Sequence, residues 1–235
     1  MKLFAITPVK KFECSKSRLA QFLSTDERVR LSQLLLDQTI KTLKKTTTLS
    51  EIVMVSMDKR AQIVAEMHNI SFLNEDVENG VNAAVSIADH YCIKYGADAT
   101  IVVPQDLPLL VSNDIDMMYD IAIKHKKCLL ICPSIGYDGS NLLVRKPPHI
   151  LAKTHYDNGH SYYSHISSAM EVGAYVRVIF SERVMKDLDT IEDAKCLASE
   201  ANNFGDHQHK MSNSNPLLYL KSIFDSMKSR DIHKG

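Results

Sequence analysis

The chain has 235 residues, 45% hydrophobic and 24% charged, with 28 basic side chains against 28 acidic ones. That length suits a single domain, 1–235, with one sizeable core. The neutral balance gives no electrostatic reason to expect a nucleic acid or a membrane as partner. No run approaches the roughly 18 apolar residues of a membrane span, and the N-terminal MKLFAITPVKKFE lacks a basic-then-apolar signal pattern. Five scattered cysteines (Cys14, Cys92, Cys128, Cys132, Cys196) suit free thiols in a reducing cytosol rather than a disulfide framework. The expectation is a soluble, cytoplasmic protein.

Short apolar runs alternate with amphipathic stretches, the pattern of a parallel, helix-covered α/β sheet in three layers. Leu3 to Thr7 reads as the first strand, closed by Pro8, and a basic loop follows. Ser24-Thr25-Asp26-Glu27 forms a capping box for a helix running to about Lys45. Val29, Leu36, Ile40 and Leu43 fall on one face, and Leu31, Leu34 and Leu35 on another, so this helix is expected to be buried on two sides. Ile52 to Ser56 is a strand, Asp58 caps a helix over Ala61 to His68, and Ile70 to Leu73 is a third strand. Asn79 caps a helix to Tyr95, with Gly96 as its stop. Ala99 to Val103, the most apolar strand, is placed at the sheet centre. Ser112 opens another helix, Cys128 to Cys132 is a strand with both thiols on one buried face, and Asn141 to Arg145 is a short strand ended by prolines. Ser161 to Glu171 is helical, Ala174 to Phe180 is a strand, and Thr190 caps a further helix. A polar, mobile segment over about 202–216 precedes a last helix, Leu217 to Met227.

Several segments can carry chemistry, and each has a plainer alternative. Asp106 follows the central strand in Pro104-Gln105-Asp106-Leu107-Pro108, at the strand end where ligands of open α/β sheets bind. It either caps the next turn or holds Mg²⁺ against triphosphate oxygens. Asp187 and Asp189 alternate in Asp187-Leu188-Asp189, so both carboxylates can face one metal, or else serve a turn. Lys10, Lys11, Lys16 and Arg18 form either a solvated basic loop or, with Lys16 and Arg18 on one side of an extended stretch, a phosphate grip. Gly80 and Asn82, beside Asp76 and Asn79, open a helix suited to contact a base or ribose, or simply to cap. Asp138-Gly139-Ser140-Asn141 and Asn158-Gly159-His160-Ser161 with His165 are two late polar turns, at the surface or reading an anionic acceptor. Neither a Walker loop nor a Ser-His-Asp arrangement appears, and the cysteine spacing gives little support for zinc.

These segments, in this order, resemble the 2-phospho-L-lactate guanylyltransferase family of deazaflavin coenzyme F-420 biosynthesis. The resemblance is carried by Pro8-Val9-Lys10, Lys16-Ser17-Arg18-Leu19, Gly80-Val81-Asn82-Ala83-Ala84, Val103 to Pro108, Asp138 to Asn141, Ser161 with His165, and Asp187-Leu188-Asp189-Thr190. It implies a nucleotide-diphospho-sugar transferase (glycosyltransferase-A-like) fold with a mixed, mainly parallel sheet. It also implies Mg²⁺, GTP as donor, a small phosphorylated three-carbon acid as acceptor, and a homodimer. On that basis Lys16, Arg18 and Asp106 are the expected catalytic residues. Lys10, Gly80, Asn82, Pro104, Ser140 and Ser161 bind the substrates, and Asp106, Asp187 and Asp189 hold the metal. The rivals are a same-fold enzyme using another base or acceptor (phosphoenolpyruvate guanylyl, molybdopterin guanylyl or cytidylyl transfer) and a nucleotide-binding regulator without turnover. Three aspartates speak for an enzyme, since a sensor needs no full metal cage.

Overall fold

The computed structural model describes residues 1–200 and 215–232, with side chains described up to residue 227. Its seven strands are β1 (Leu3–Pro8), β2 (Leu49–Ser56), β3 (Ser71–Asn74), β4 (Ala99–Val102), β5 (Cys128–Pro133), β6 (Ser140–Lys146) and β7 (Tyr175–Val178). They form one sheet in the order β3-β2-β1-β4-β6-β5-β7, with β4 at its centre. Neighbours run parallel except β6, which is antiparallel to both β4 and β5. The mixed, mainly parallel sheet that the resemblance implied is therefore present. The reversal of β6 brings its first residues, Ser140 and Asn141, to the edge where β1 and β4 end.

Helices cover both faces, as strand alternation requires. On one face α1 (Thr25–Lys45), α2 (Lys59–His68) and α4 (Ser112–Ala122) pack on Leu3, Ala5, Ile101, Val103, Cys128, Leu130 and Cys132. On the other, α3 (Gly80–Lys94) and α5 (Ser161–Glu171) pack on Phe4, Ile6, Val102, Leu129, Ile131 and Leu143. Both thiols of the Cys128/Cys132 pair do share one buried face. The two-sided α1 also holds: Leu36, Ile40 and Leu43 face the sheet, while Leu31 and Leu35 pack outward on α7 (Ile191–Glu200) and α8 (Pro216–Ile232). A four-residue helix, α6 (Glu182–Met185), was not legible in the sequence.

The start of α1 carries the expected capping box. Glu27 N–H donates to Ser24 Oγ (3.3 Å) and Ser24 N–H to Glu27 Oε2 (2.8 Å), worth about 1 kcal/mol. Asp58 likewise caps α2, accepting from Arg60 N–H at 2.9 Å. Asn79, however, makes no side-chain cap on α3. Asp157, far along the chain, accepts from Val81 N–H (3.1 Å) and Asn82 N–H (3.0 Å) instead. Beneath that junction Arg145 of β6, 1% exposed, makes a paired contact to Asp89 of α3, at 2.6 Å through each terminal nitrogen. Among the described residues no helix is long and apolar enough to cross a membrane. The segment 202–216 lies outside the described residues but for its last two, 215 and 216.

Candidate active site

A cleft of about 420 Å³ opens over the ends of β1 and β4 and the start of β6, within the ordinary range for small-molecule sites. The loop after β4 is pinned from behind by α1: Thr39 Oγ1 donates to the Gln105 carbonyl (3.3 Å) and Gln38 Nε2 to that of Pro108 (2.5 Å). Asp106 is thereby fixed facing the cleft. Its backbone carbonyl accepts from Leu188 N–H at 2.9 Å, tying the two acidic loops edge to edge. Leu188 is fully buried in the core between α1, α7 and α8. Alternation then turns Asp187 and Asp189 the other way, into the cleft.

The basic loop is not extended, as the sequence suggested. It winds into a 3-10 turn over Ser17–Leu19, entered through Lys16 in a left-handed conformation with φ of 54°. That turn separates the two cations. Lys16 drives its ammonium into the site, with the side chain 3% exposed, 2.9 Å from Asp106 Oδ2 and 3.2 Å from Asp189 Oδ1. Arg18 stays 72% exposed at the rim, 3.6 Å from Asp189 Oδ2. Burial alone would push the Lys16 ammonium down, but Asp106 and Asp189 more than offset it, so its pKa stands above the ordinary value. Asp187 has no such cation. Burial, reinforced by Asp106 and Asp189, pushes its carboxyl up to about 6, although Asn141 Nδ2 donates to it at 3.2 Å.

Among the described residues no three His, Cys, Asp or Glu side chains stand in a ready metal-holding arrangement. Lys16 is the cation that lies between Asp106 and Asp189. The donor set itself suits a hard divalent ion: three carboxylates on two tied loops, one of them short of countercharge.

Lys10, Lys16, Arg18, Pro104, Asp106, Ser140, Ser161, Asp187 and Asp189 all line the cleft. Gly80 and Asn82 are not among its lining residues. Gly80 has φ of 82°, and a Cβ on it would stand 2.8 Å from Asp157 Oδ2. Asn82 Oδ1 accepts from Thr154 Oγ1 (2.9 Å) and Tyr156 N–H (2.8 Å). Both residues dock the 154–158 loop, because α3 needs a cap that its own Asn79 does not supply. Val81 is the residue from this stretch that reaches the cleft. The late polar turns divide: Asp138, Asn158, Gly159 and His160 are exposed, whereas Ser140, Asn141, Ser161 and His165 are buried. Asn141 and Tyr156 also line the cleft. Asn141 had a signal in its turn cluster, whereas nothing local marked Tyr156.

A second hollow of about 400 Å³ adjoins the first and shares Arg18, Asn141, Ser161, Asp187 and Asp189 with it. Asp187 and Asp189 thus stand where two compartments meet, with Lys16 and Asp106 on the side of the first. A mixed, mainly parallel sheet with a cation-and-carboxylate cluster at the end of its central strand suits a nucleotidyltransferase, and the relatives bear that class out. The family model for "Guanylyl transferase CofC like" proteins matches residues 3–209, and the chain belongs to that family. It is 31% identical over 191 residues to a 2-phospho-L-lactate guanylyltransferase of Methanobrevibacter smithii, covering 81% of each chain. It is 28% identical over 197 residues to a phosphoenolpyruvate guanylyltransferase of Conexibacter woesei, covering 84% of this chain and 87% of that one. The solved structure of a candidate nucleotide-diphospho-sugar transferase from Desulfovibrio desulfuricans G20 superposes with a TM-score of 0.72 at 12% identity, covering 96% of this chain and 98% of that one. At that identity the likeness speaks for the fold.

Proposed function

We propose that the protein joins GTP to (2S)-2-phospholactate, giving lactyl-2-diphospho-5′-guanosine and pyrophosphate, as a step toward coenzyme F-420. The observation that carries this reading is the pair of adjoining compartments, which share Arg18, Asp187 and Asp189, with Lys16 and Asp106 lining the first of them. Two polyanions must be brought into contact, and charge must be compensated where they meet. Lys16, with Lys10 and Arg18 nearer the rim, holds the triphosphate and the departing pyrophosphate. Ser140 and Ser161 hold the acceptor. Asp106, Asp187 and Asp189 would hold Mg²⁺, which when bound would neutralise phosphate charge and offset the carboxylate repulsion that adds to burial in raising the Asp187 pKa. No general base is needed, because the acceptor's phosphate, with its second pKa near 6, is already a competent nucleophile toward the α-phosphorus.

Phosphoenolpyruvate is the second reading for the acceptor, favoured because relatives of comparable similarity carry both names. The two acids share a carboxylate and a phosphate, and a polar pocket separates such isosteres poorly. Pyrophosphate release measured with GTP, CTP and ATP against each acid tests the proposal. GTP-dependent release requiring one of the two acids supports it. Equal rates with CTP, or release without any acid, would refute the guanylyl assignment.

A further inference from the structure

The acceptor-facing hydroxyls Ser140 and Ser161 are nearly closed off from solvent, 6% and 4% exposed, and Ser161 Oγ donates to Ser140 Oγ at 3.0 Å. Behind them lies His165, fully buried on α5 and outside the cleft lining. Its Nδ1 is 3.0 Å from Ser140 Oγ, and its Nε2 accepts the backbone N–H of His155 at 2.9 Å.

That second contact settles where the imidazole proton resides. A backbone amide can only donate, so Nε2 must be the bare, accepting nitrogen. The ring proton is then on Nδ1 and points at Ser140 Oγ. Burial pushes the imidazole pKa down to about 3, with His155 and Arg145 adding to it, so the ring stays neutral with one proton. Two hydroxyls now share one O–H···O bond, and His165 occupies one of their acceptor sites. One hydroxyl proton is left over, and both serines line the cleft. With the other tautomer Ser140 would donate to Nδ1 and present lone pairs to the ligand, which an anion repels.

We propose that His165, locked by the His155 amide as the Nδ1–H tautomer, is a positioning residue that makes the Ser140–Ser161 pair a hydrogen-bond donor to the acceptor's anionic group. This rests on the reading of those serines as the acceptor subsite. His165 touches no substrate and acts only through Ser140.

Asn and Gln each reproduce half of an imidazole. In His165→Asn the amide nitrogen stands near Nδ1 and still donates to Ser140. In His165→Gln the amide oxygen stands near Nε2 and still accepts from His155, but the donor to Ser140 is gone. Expected is an acceptor KM within about threefold of wild type for His165→Asn. For His165→Gln it rises roughly tenfold or more, the scale of one hydrogen bond to a charged group, with the KM for GTP unchanged. A purely structural role predicts the reverse order, because His165→Gln keeps the backbone tether. Ser140→Ala should raise the acceptor KM alone, and Ser140→Ala/His165→Gln should be no worse than Ser140→Ala, since both act through one bond. Multiplying effects would overturn the inference. So would a raised KM in Ser140→Ala with no change in His165→Gln, while the subsite reading stood. An unchanged acceptor KM in Ser140→Ala would overturn both. Should the His165 variants not fold, ¹⁵N–¹H spectra of the imidazoles in the wild-type protein decide it: a buried histidine as Nδ1–H supports the inference, and Nε2–H at His165 refutes it.

Discussion

Replacing Lys16 by Met removes one charge from the centre of the site and little else. Met keeps most of the side-chain length and inherits the same left-handed backbone, φ 54°, so that strain cancels in the comparison. In the wild type the ammonium, 3% exposed, is shared between Asp106 at 2.9 Å and Asp189 at 3.2 Å. Breaking a fully buried pair by removing one partner costs about 3–5 kcal/mol. Here the carboxylates are 25% and 44% exposed, so water relieves part of that cost, and about 2 kcal/mol is the expected loss. For a chain of this size each kcal/mol lowers Tm by roughly 2–4 °C, which gives a fall of roughly 4–8 °C in the absence of divalent ions. Calorimetry at pH 7.5 and low salt reads it directly. Adding Mg²⁺ should then raise the Tm of Lys16→Met more than that of the wild type, because three carboxylates without their lysine attract a cation more strongly. A variant that melts with the wild type and gains no more from Mg²⁺ would refute the charge-balance argument.

Asp106→Asn should keep the fold and lose more than tenfold in turnover, a barrier increase above ~1.4 kcal/mol; initial rates of pyrophosphate release check it. Asp187 has a folded pKa of about 6 against an ordinary 3.8. Its contribution to stability is therefore complete below pH ~4 and lost as pH rises through ~6, by up to ~3 kcal/mol. Without metal, Asp187→Asn should gain on the wild type in Tm as pH rises across that window and be the more stable above it; parallel pH profiles would contradict this. Asp157→Ala strips two N–H groups at the start of α3 of their acceptor, so hydrogen exchange there should quicken and stability drop by about 1 kcal/mol.

Much of this molecule was readable in the sequence because local rules wrote it. The capping box at Ser24 and Glu27, the double apolar face of α1 and the apolar run that became the central strand each depend on neighbours within a turn or two. The alternation in Asp187-Leu188-Asp189 was legible for the same reason: burial of Leu188 sends its flanking carboxylates to one side. What escaped depends on partners distant in sequence. Asp157 caps a helix 76 residues away, and this freed Gly80 and Asn82 for a structural task that their spacing did not announce. The antiparallel course of β6, which delivers Ser140 to the cleft, leaves no periodicity signal, since both directions alternate alike. The burial of Lys16 follows from one left-handed residue, which no propensity assigns to lysine. His165 read as part of a polar turn because its partners, Ser140 and the His155 amide, meet only once α5 has docked.

The central claim is that the acceptor's phosphate attacks the α-phosphorus of GTP at the Lys16 and aspartate cluster. The most direct measurement is ³¹P NMR of the enzyme with GTP, Mg²⁺ and 2-phospholactate. The account predicts that the acceptor's monoester signal and the three GTP resonances decline together, giving pyrophosphate and a new unsymmetrical diphosphate, and that none of this occurs with Asp106→Asn. Formation of GDP and inorganic phosphate, or consumption of GTP with the acid signal untouched, would contradict it.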